Sequence, residues 1–262
     1  MHLPRIALAL STLLLATAAS AQTLSYADFS DTSGLTLNGS AAQAGAALRL
    51  VPSVDSQAGS AFANTALTLT SSTAFSTAFQ FLVMPDVNST LGVPDGFTFL
   101  LQAHGPTALG EAGEGLGYVG LAQSVAVVFR GRDPAFVGVI AGGTNPADLA
   151  QPFNPRGSAQ LSEGSFYGQT GRAWIDYQPG SLQVFLSADG TKPLTPLATA
   201  SIDLAATLGS QAYVGFSAGN GGAYGTQDVL SWQLQVSSVP EPASLALMLA
   251  GLVLVGARAR RR

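Results

Sequence analysis

The chain has 262 residues, no cysteine, only 10% charged residues and a formal net charge of −4. That length fits one large domain with short appendages, and the lack of cysteine excludes a disulfide framework, so an exported fold must rest on its core. Between the two ends, Arg49, Arg130, Arg132, Arg156, Arg172 and Lys192 face fourteen acidic residues, a balance near −8 that excludes a basic footprint for nucleic acid or acidic lipid.

Taken in chain order, the first element is an address. Arg5 precedes an apolar run from Ile6 to Ala19, and Ala19-Ser20-Ala21 is a small-x-small cleavage site before Gln22. Residues 1–21 therefore read as a secretory signal peptide cleaved after Ala21, with an apolar run too short for an ordinary membrane span. The body, 22–238, reads as strands. Ala74 to Val83, Gly96 to Gln102, Ser124 to Phe129, Ala173 to Tyr177, Ser181 to Leu186, Ala212 to Ser217 and Val229 to Val236 carry β-branched or aromatic residues. Clusters of Gly, Pro, Asn and Asp separate them, and no segment sustains a long helical period. Many short strands in one unit of this size predict an all-β sandwich or barrel. The stretch Asn145 to Gly171 is the least patterned and is expected to be a long surface loop.

Residues 239–262 form the other end. Val239-Pro240-Glu241-Pro242 is followed by an apolar run from Ala243 to Ala257 and by Arg258-Ala259-Arg260-Arg261-Arg262. As a helix the run would be roughly 22 Å long against a hydrocarbon core of about 30 Å. Arginines beyond an apolar run hold that side in the cytoplasm, which leaves the body outside. Pro-Glu-Pro, a short membrane helix and a terminal Arg cluster in this order resemble the PEP-CTERM sorting signal of Gram-negative bacteria. The resemblance implies transient inner-membrane insertion through this transmembrane helix, recognition by an exosortase, and cleavage near Pro240, Glu241 and Pro242. It also implies a surface or extracellular destination in the company of exopolysaccharide.

Within the body, Asp95-Gly96-Phe97-Thr98-Phe99-Leu100 is followed by Gly113-Glu114-Gly115-Leu116-Gly117-Tyr118 and Val125-Ala126-Val127-Val128-Phe129-Arg130-Gly131. Asp133 to Val139, Trp174-Ile175-Asp176-Tyr177, Tyr213 to Ala218 and Leu230-Ser231-Trp232 come after in order. This ordered set resembles the legume-type (L-type) lectins and implies their fold, a flattened, concanavalin-like jelly-roll β-sandwich of antiparallel strands. It also implies a carbohydrate pocket. Asp95 would be the sugar acceptor, after a peptide that the family's calcium holds cis. Gly113 and Glu114 would supply the turn whose N–H groups face the sugar, and Gly222 and Ala223 the specificity loop. A sugar offers hydroxyls that donate and accept, so a carboxylate, N–H donors and an apolar face suit it. The alternative is that Asp95-Gly96 is an ordinary strand-entry turn.

The metal strand departs from the family pattern. Val128 and Arg130 stand where the family has its two central carboxylates, Phe136 falls near the metal-binding His, and of the ligand set Asp133 survives. Calcium wants six to eight oxygens, so the family's calcium and manganese are expected to be lost and no cofactor is expected. Arg130 could stand in for the cation, its guanidinium bridging Asp133 and Asp95. Alternatively Arg130 is a solvated loop residue.

An enzyme is not expected. His104 is a lone loop histidine, and Glu111 and Glu114 fall in a glycine-rich turn rather than converging on a substrate strand as a glycosidase pair does. The sequence thus leads to an exported, lectin-like surface protein that binds carbohydrate or exopolysaccharide. A structural matrix protein that keeps the fold without the pocket is the rival, and a glycoside hydrolase comes third.

Overall fold

A computed structural model describes residues 22–145 and 157–238. The expected signal peptide with Ala21, and the sorting tail with Pro240, Glu241 and Pro242, lie outside the described residues. In chain order the strands are β1 (Gln22–Tyr26), β2 (Leu35–Gly39), β3 (Ala42–Ala44), β4 (Ala47–Val51), β5 (Gln57–Ala63), β6 (Leu67–Thr68), β7 (Thr73–Pro85) and β8 (Gly96–Gln102). After a 3-10 turn at Gly113–Gly115 come β9 (Ser124–Arg130), β10 (Phe136–Ala141), β11 (Ser158–Gln160), β12 (Thr170–Gln178), β13 (Ser181–Ser187) and β14 (Ala198–Ala200). A short helix α1 (Leu204–Leu208), capped by the Asp203 carboxylate on the Ala206 N–H, precedes β15 (Gln211–Asn220) and β16 (Gly225–Ser238).

These strands form two antiparallel sheets of eight. The back sheet runs β14-β13-β12-β7-β16-β4-β3 with β1 on β16, and the front sheet runs β11-β10-β9-β8-β15-β5-β2 with β6 on β15. All seven strands expected from the sequence are present; β8 has the expected bounds, and the others extend further by one to several residues. The expected loop from Asn145 to Gly171 needs correction, because β11 lies inside it and β12 begins at Thr170. Short Ser- and Ala-rich strands such as β11 and β14 carry too little apolar periodicity to be legible before their partners are known.

Alternation explains the core. Phe97 and Phe99 of β8, Val127 and Phe129 of β9, and Phe216 of β15 point between the sheets toward Phe79, Phe81 and Trp232 of the back sheet. Phe97 and Phe129 are register partners, and their rings stack 4.8 Å apart; Phe79 meets Phe216 edge-on at 5.0 Å. Trp232 lies fully inside because its indole N–H donates to Thr77 Oγ1 at 2.9 Å.

β8 and β9 are nonetheless buried at every residue. Their other face, with Leu100, Ala126 and Val128, is covered by the segment 103–123, which lays Ala108, Leu116, Tyr118, Val119 and Leu121 over it. The unbroken apolar run Val125 to Phe129 is the sequence mark of a strand covered on both sides. The covering segment carries the 3-10 turn to the end of the front sheet, where the candidate site lies.

Candidate functional site

Three strand ends meet there. Gly96, at the start of β8, pairs with Arg130 at the end of β9 and with Gly219 near the end of β15. Asp95 just before β8 is thereby placed beside the loop that follows β15. Gly96 has φ +137° and a Cβ there would sit 2.2 Å from the Phe129 carbonyl oxygen, so Asp95 must be followed by glycine. The Asp95 carboxylate is 1% exposed. Its Oδ2 accepts the Gly221 N–H at 3.0 Å, and its Oδ1 has no hydrogen-bond partner but lies 3.7 Å from Arg132 Nη1. Burial raises the Asp95 pKa above the usual aspartate range, with the Arg132 guanidinium opposing it.

The turn at Gly113–Gly115 roofs this carboxylate. A Cβ on Gly113 would lie 3.8 Å from Asp95 Oδ2 and 3.6 Å from the Gly221 Cα. Glu114, 40% exposed, takes a hydrogen bond from Arg130 Nη2 at 3.3 Å. Arg130 is 3% exposed, which excludes the solvated-loop alternative. Its Nη2 also reaches Asp133, through the backbone carbonyl oxygen at 3.5 Å. The expected bridge from Arg130 to the carboxylates of Asp133 and Asp95 is therefore corrected: the carboxylate it meets is Glu114, and Arg132 attends Asp95. Residues 130 and 132 differ because the first is the last residue of a paired strand and points into the covered face, whereas the second has left the ladder.

Behind the site, Tyr167 donates its hydroxyl to the Pro94 carbonyl at 3.0 Å and packs against Gly131, where a Cβ would come within 2.1 Å of the ring. Burial drives the Tyr167 and Tyr118 phenols far above the ordinary tyrosine range, so both stay neutral. Among the described residues the cis peptide is Asp133–Pro134, and the peptide before Asp95 is trans. That differs from the cis bond the resemblance implies.

The loop after β15 is pinned from below. The Asn220 side-chain N–H₂ donates to the carbonyls of Pro52, Val54 and Gly225 at 2.8, 3.2 and 2.9 Å, and its Oδ1 accepts from Gln227 at 3.1 Å. Of the expected loop residues, Gly222 is exposed beside Leu91, while Ala223 is fully buried. It is the Gly221 N–H that faces Asp95.

Where the resemblance places metal ligands, Val128 and Phe136 belong to the apolar cluster with Leu116 and Tyr118. No group of three or more His, Cys, Asp or Glu that could hold a metal ion occurs among the described residues. A guanidinium and aliphatic or aromatic side chains supply none of the oxygens calcium needs, so this set does not fit that ion. The site can offer a fixed carboxylate, a roof of glycine backbone, a partly exposed Glu114 and the apolar Leu91, which is 60% exposed.

Reasoning from sequence located Asp95, Gly113, Glu114 and Arg130 at this site and missed Arg132, Gly221, Asn220 and Tyr167. The closeness of Arg132 to Arg130 was the one usable signal, since Arg130 ends the β9 strand beside Asp95 and Arg132 follows it. Nothing local marks Asn220 or Tyr167: besides the nearby Gly225 and Gln227, Asn220 holds Pro52 and Val54, and Tyr167 holds Pro94, all far away in the chain.

Known proteins agree with this architecture. The model of the legume lectin domain matches residues 21–131 and 153–247, and that of the PEP-CTERM protein-sorting motif matches 238–262. A probable L-type lectin-domain containing receptor kinase S.7 of Arabidopsis thaliana is 32% identical over 189 residues, which is 62% of this chain. The match spans 26% of the kinase's own length. Among solved structures, the Bauhinia forficata lectin in complex with GalNAc superposes with a TM-score of 0.68 at 20% identity, covering 84% of this chain and 100% of that one. Arcelin-5, a lectin-like defence protein from Phaseolus vulgaris, gives 0.68 at 21% identity, covering 84% and 99%. With the family model spanning most of both halves of the sandwich, the chain belongs to the legume lectin family and ends in a PEP-CTERM sorting motif.

Proposed function

We propose that the body binds carbohydrate, an exopolysaccharide at the cell surface, at the Asp95 end of the front sheet and without a resident metal ion. The PEP-CTERM motif indicates an exported protein sorted to the cell surface. In this proposal the tail enters the inner membrane transiently through 243–257, and an exosortase cleaves near Pro240-Glu241-Pro242. No helix among the described residues is long and apolar enough to cross a membrane, so this step rests on the tail.

The observation that supports binding is the Asp95 carboxylate. One of its oxygens is oriented by the Gly221 N–H and the other is left without a donor, beside guanidinium groups where the family uses calcium. A carboxylate oxygen without a donor can accept a sugar hydroxyl. The scaffold reading has one observation in its favour, the 1% exposure of Asp95, which requires a side chain to move before a sugar enters.

A glycan array on the secreted body, with and without EDTA and beside an Asp95→Asn variant, tests the proposal. Binding that survives EDTA and disappears in the variant supports it. Absence of binding to every glycan leaves the matrix scaffold, and loss with EDTA refutes metal-free recognition.

A further inference from the structure

From the charges at the Asp95 end of the front sheet we infer that the site takes an amine-bearing sugar, whose ammonium group replaces the Arg132 guanidinium. The inference rests on the carbohydrate reading above and narrows its ligand class.

The two arginines at the site are unlike. Arg130 is buried and holds Glu114 at 3.3 Å and the Asp133 carbonyl through Nη2, while its Nε and Nη1 have no hydrogen-bond partner. Arg132 is 33% exposed, and its Nη1 stands 3.7 Å from Asp95 Oδ1, an ion pair too long for a hydrogen bond. A loose pair on the solvent side holds weakly, so Arg132 is the group that can leave. Asp95 cannot follow, since Gly221 holds its other oxygen and the Gly113 turn lies over it.

Once Arg132 swings out, what faces the incoming ligand is negative. Asp95 Oδ1 is then a buried carboxylate oxygen without a donor, and the one guanidinium left beside it, Arg130, is already paired with Glu114, so Asp95 and Glu114 outnumber the remaining cation. The surroundings add to this. Asp133 is exposed, and so is Glu163, whose Oε1 lies 4.0 Å from the Cβ position of Gly92. The segment carrying Glu163 is tied to the site by the Gly164 N–H on the Gly131 carbonyl at 2.8 Å. A uronate would meet carboxylates here. A neutral hydroxyl would supply a donor and leave the charge bare. An ammonium supplies three donors and the charge together, and a charge-assisted bond is roughly twice as strong as a neutral one. The exposed Leu91, seated against the exposed Gly222, offers a sugar ring an apolar wall. A body near −8 also steers a polycationic chain toward the surface.

The test uses the secreted protein with two probes, a β-1,4-linked glucosamine hexamer and its fully N-acetylated counterpart, followed by calorimetric titration. The free-amine hexamer is expected to bind at least about tenfold more tightly, a preference that shrinks as salt is added. Arg132→Met is expected to tighten amine binding by about threefold, since the ligand no longer displaces a side chain. Asp95→Asn, nearly isosteric, is expected to abolish it. Equal binding of both hexamers, or weaker amine binding in Arg132→Met, overturns the inference. If the N-acetylated hexamer binds and loses its affinity in Asp95→Asn, the carbohydrate reading stands while this ligand class falls. Binding of neither hexamer overturns the inference, and the array decides the broader reading separately.

Discussion

Val128→Glu puts back a carboxylate that the family resemblance expects on the metal strand, and its cost follows from where Val128 lies. The side chain is fully buried, paired in register with Thr98 and Gly138, and packed in the apolar cluster with Phe136 and Tyr118. Arg130, two residues on, is already engaged with Glu114. A glutamate in this cluster would stay protonated, and holding it so at pH 7 against an ordinary pKa of about 4.3 costs roughly 4 kcal/mol at 1.36 kcal/mol per unit. For a domain of this size about 2–4 °C is lost per kcal/mol, so calorimetry should find the melting temperature lower by roughly 8–16 °C at pH 7. The sign with pH is set by the raised pKa. The penalty is charged only above the unfolded pKa, so the deficit should shrink toward pH 4, leaving the cost of the extra volume and the buried hydroxyl. Calcium should raise neither protein's melting temperature, because a ligand that binds only the native state must stabilise it. A deficit under about 2 °C at pH 7, or a calcium-dependent rise in the variant, would mean that this face is a latent metal site and that the reasoning from its apolar packing is wrong.

Asp95→Asn should raise stability as pH increases from about 3.5 to 7. The wild-type carboxyl, its pKa lifted by burial, contributes stability below the unfolded value of about 3.9 and loses it as pH rises through the folded value. Melting curves across that range that stay parallel would contradict the shift. Asn220→Ala removes the donors to the Pro52, Val54 and Gly225 carbonyls and the acceptor of one Gln227 N–H beneath the 221–224 loop, although Pro52 keeps the Val54 N–H and Gln227 keeps the Gly219 carbonyl. At about 1–3 kcal/mol per unsatisfied group, a loss near 3 kcal/mol is expected in urea unfolding, and less than 1 kcal/mol would deny the clamp. At the other end of the chain, neutral residues in place of Arg258, Arg260, Arg261 and Arg262 should slow processing of the tail in pulse-chase experiments. Normal processing would remove the physical basis for the membrane orientation.

The sequence by itself determined the all-β class and the strands with strong alternation, because periodicity is a local property of a run. It also placed Asp95, Gly113, Glu114 and Arg130 at one site through an ordered resemblance, and it marked Val128 and Phe136 as residues unable to ligate. The tertiary structure decided what those residues touch. Which arginine attends Asp95 depends on where β9 stops pairing, and Gly221 rather than Gly222 or Ala223 meets the carboxylate because β15 ends at Asn220. Asn220 and Tyr167 act on segments more than seventy residues away, at Pro52 and Pro94, and no spacing within the chain can announce such a partner. Contacts between strand ends are set by register and sheet order, which emerge only when both faces of the sandwich are packed at once.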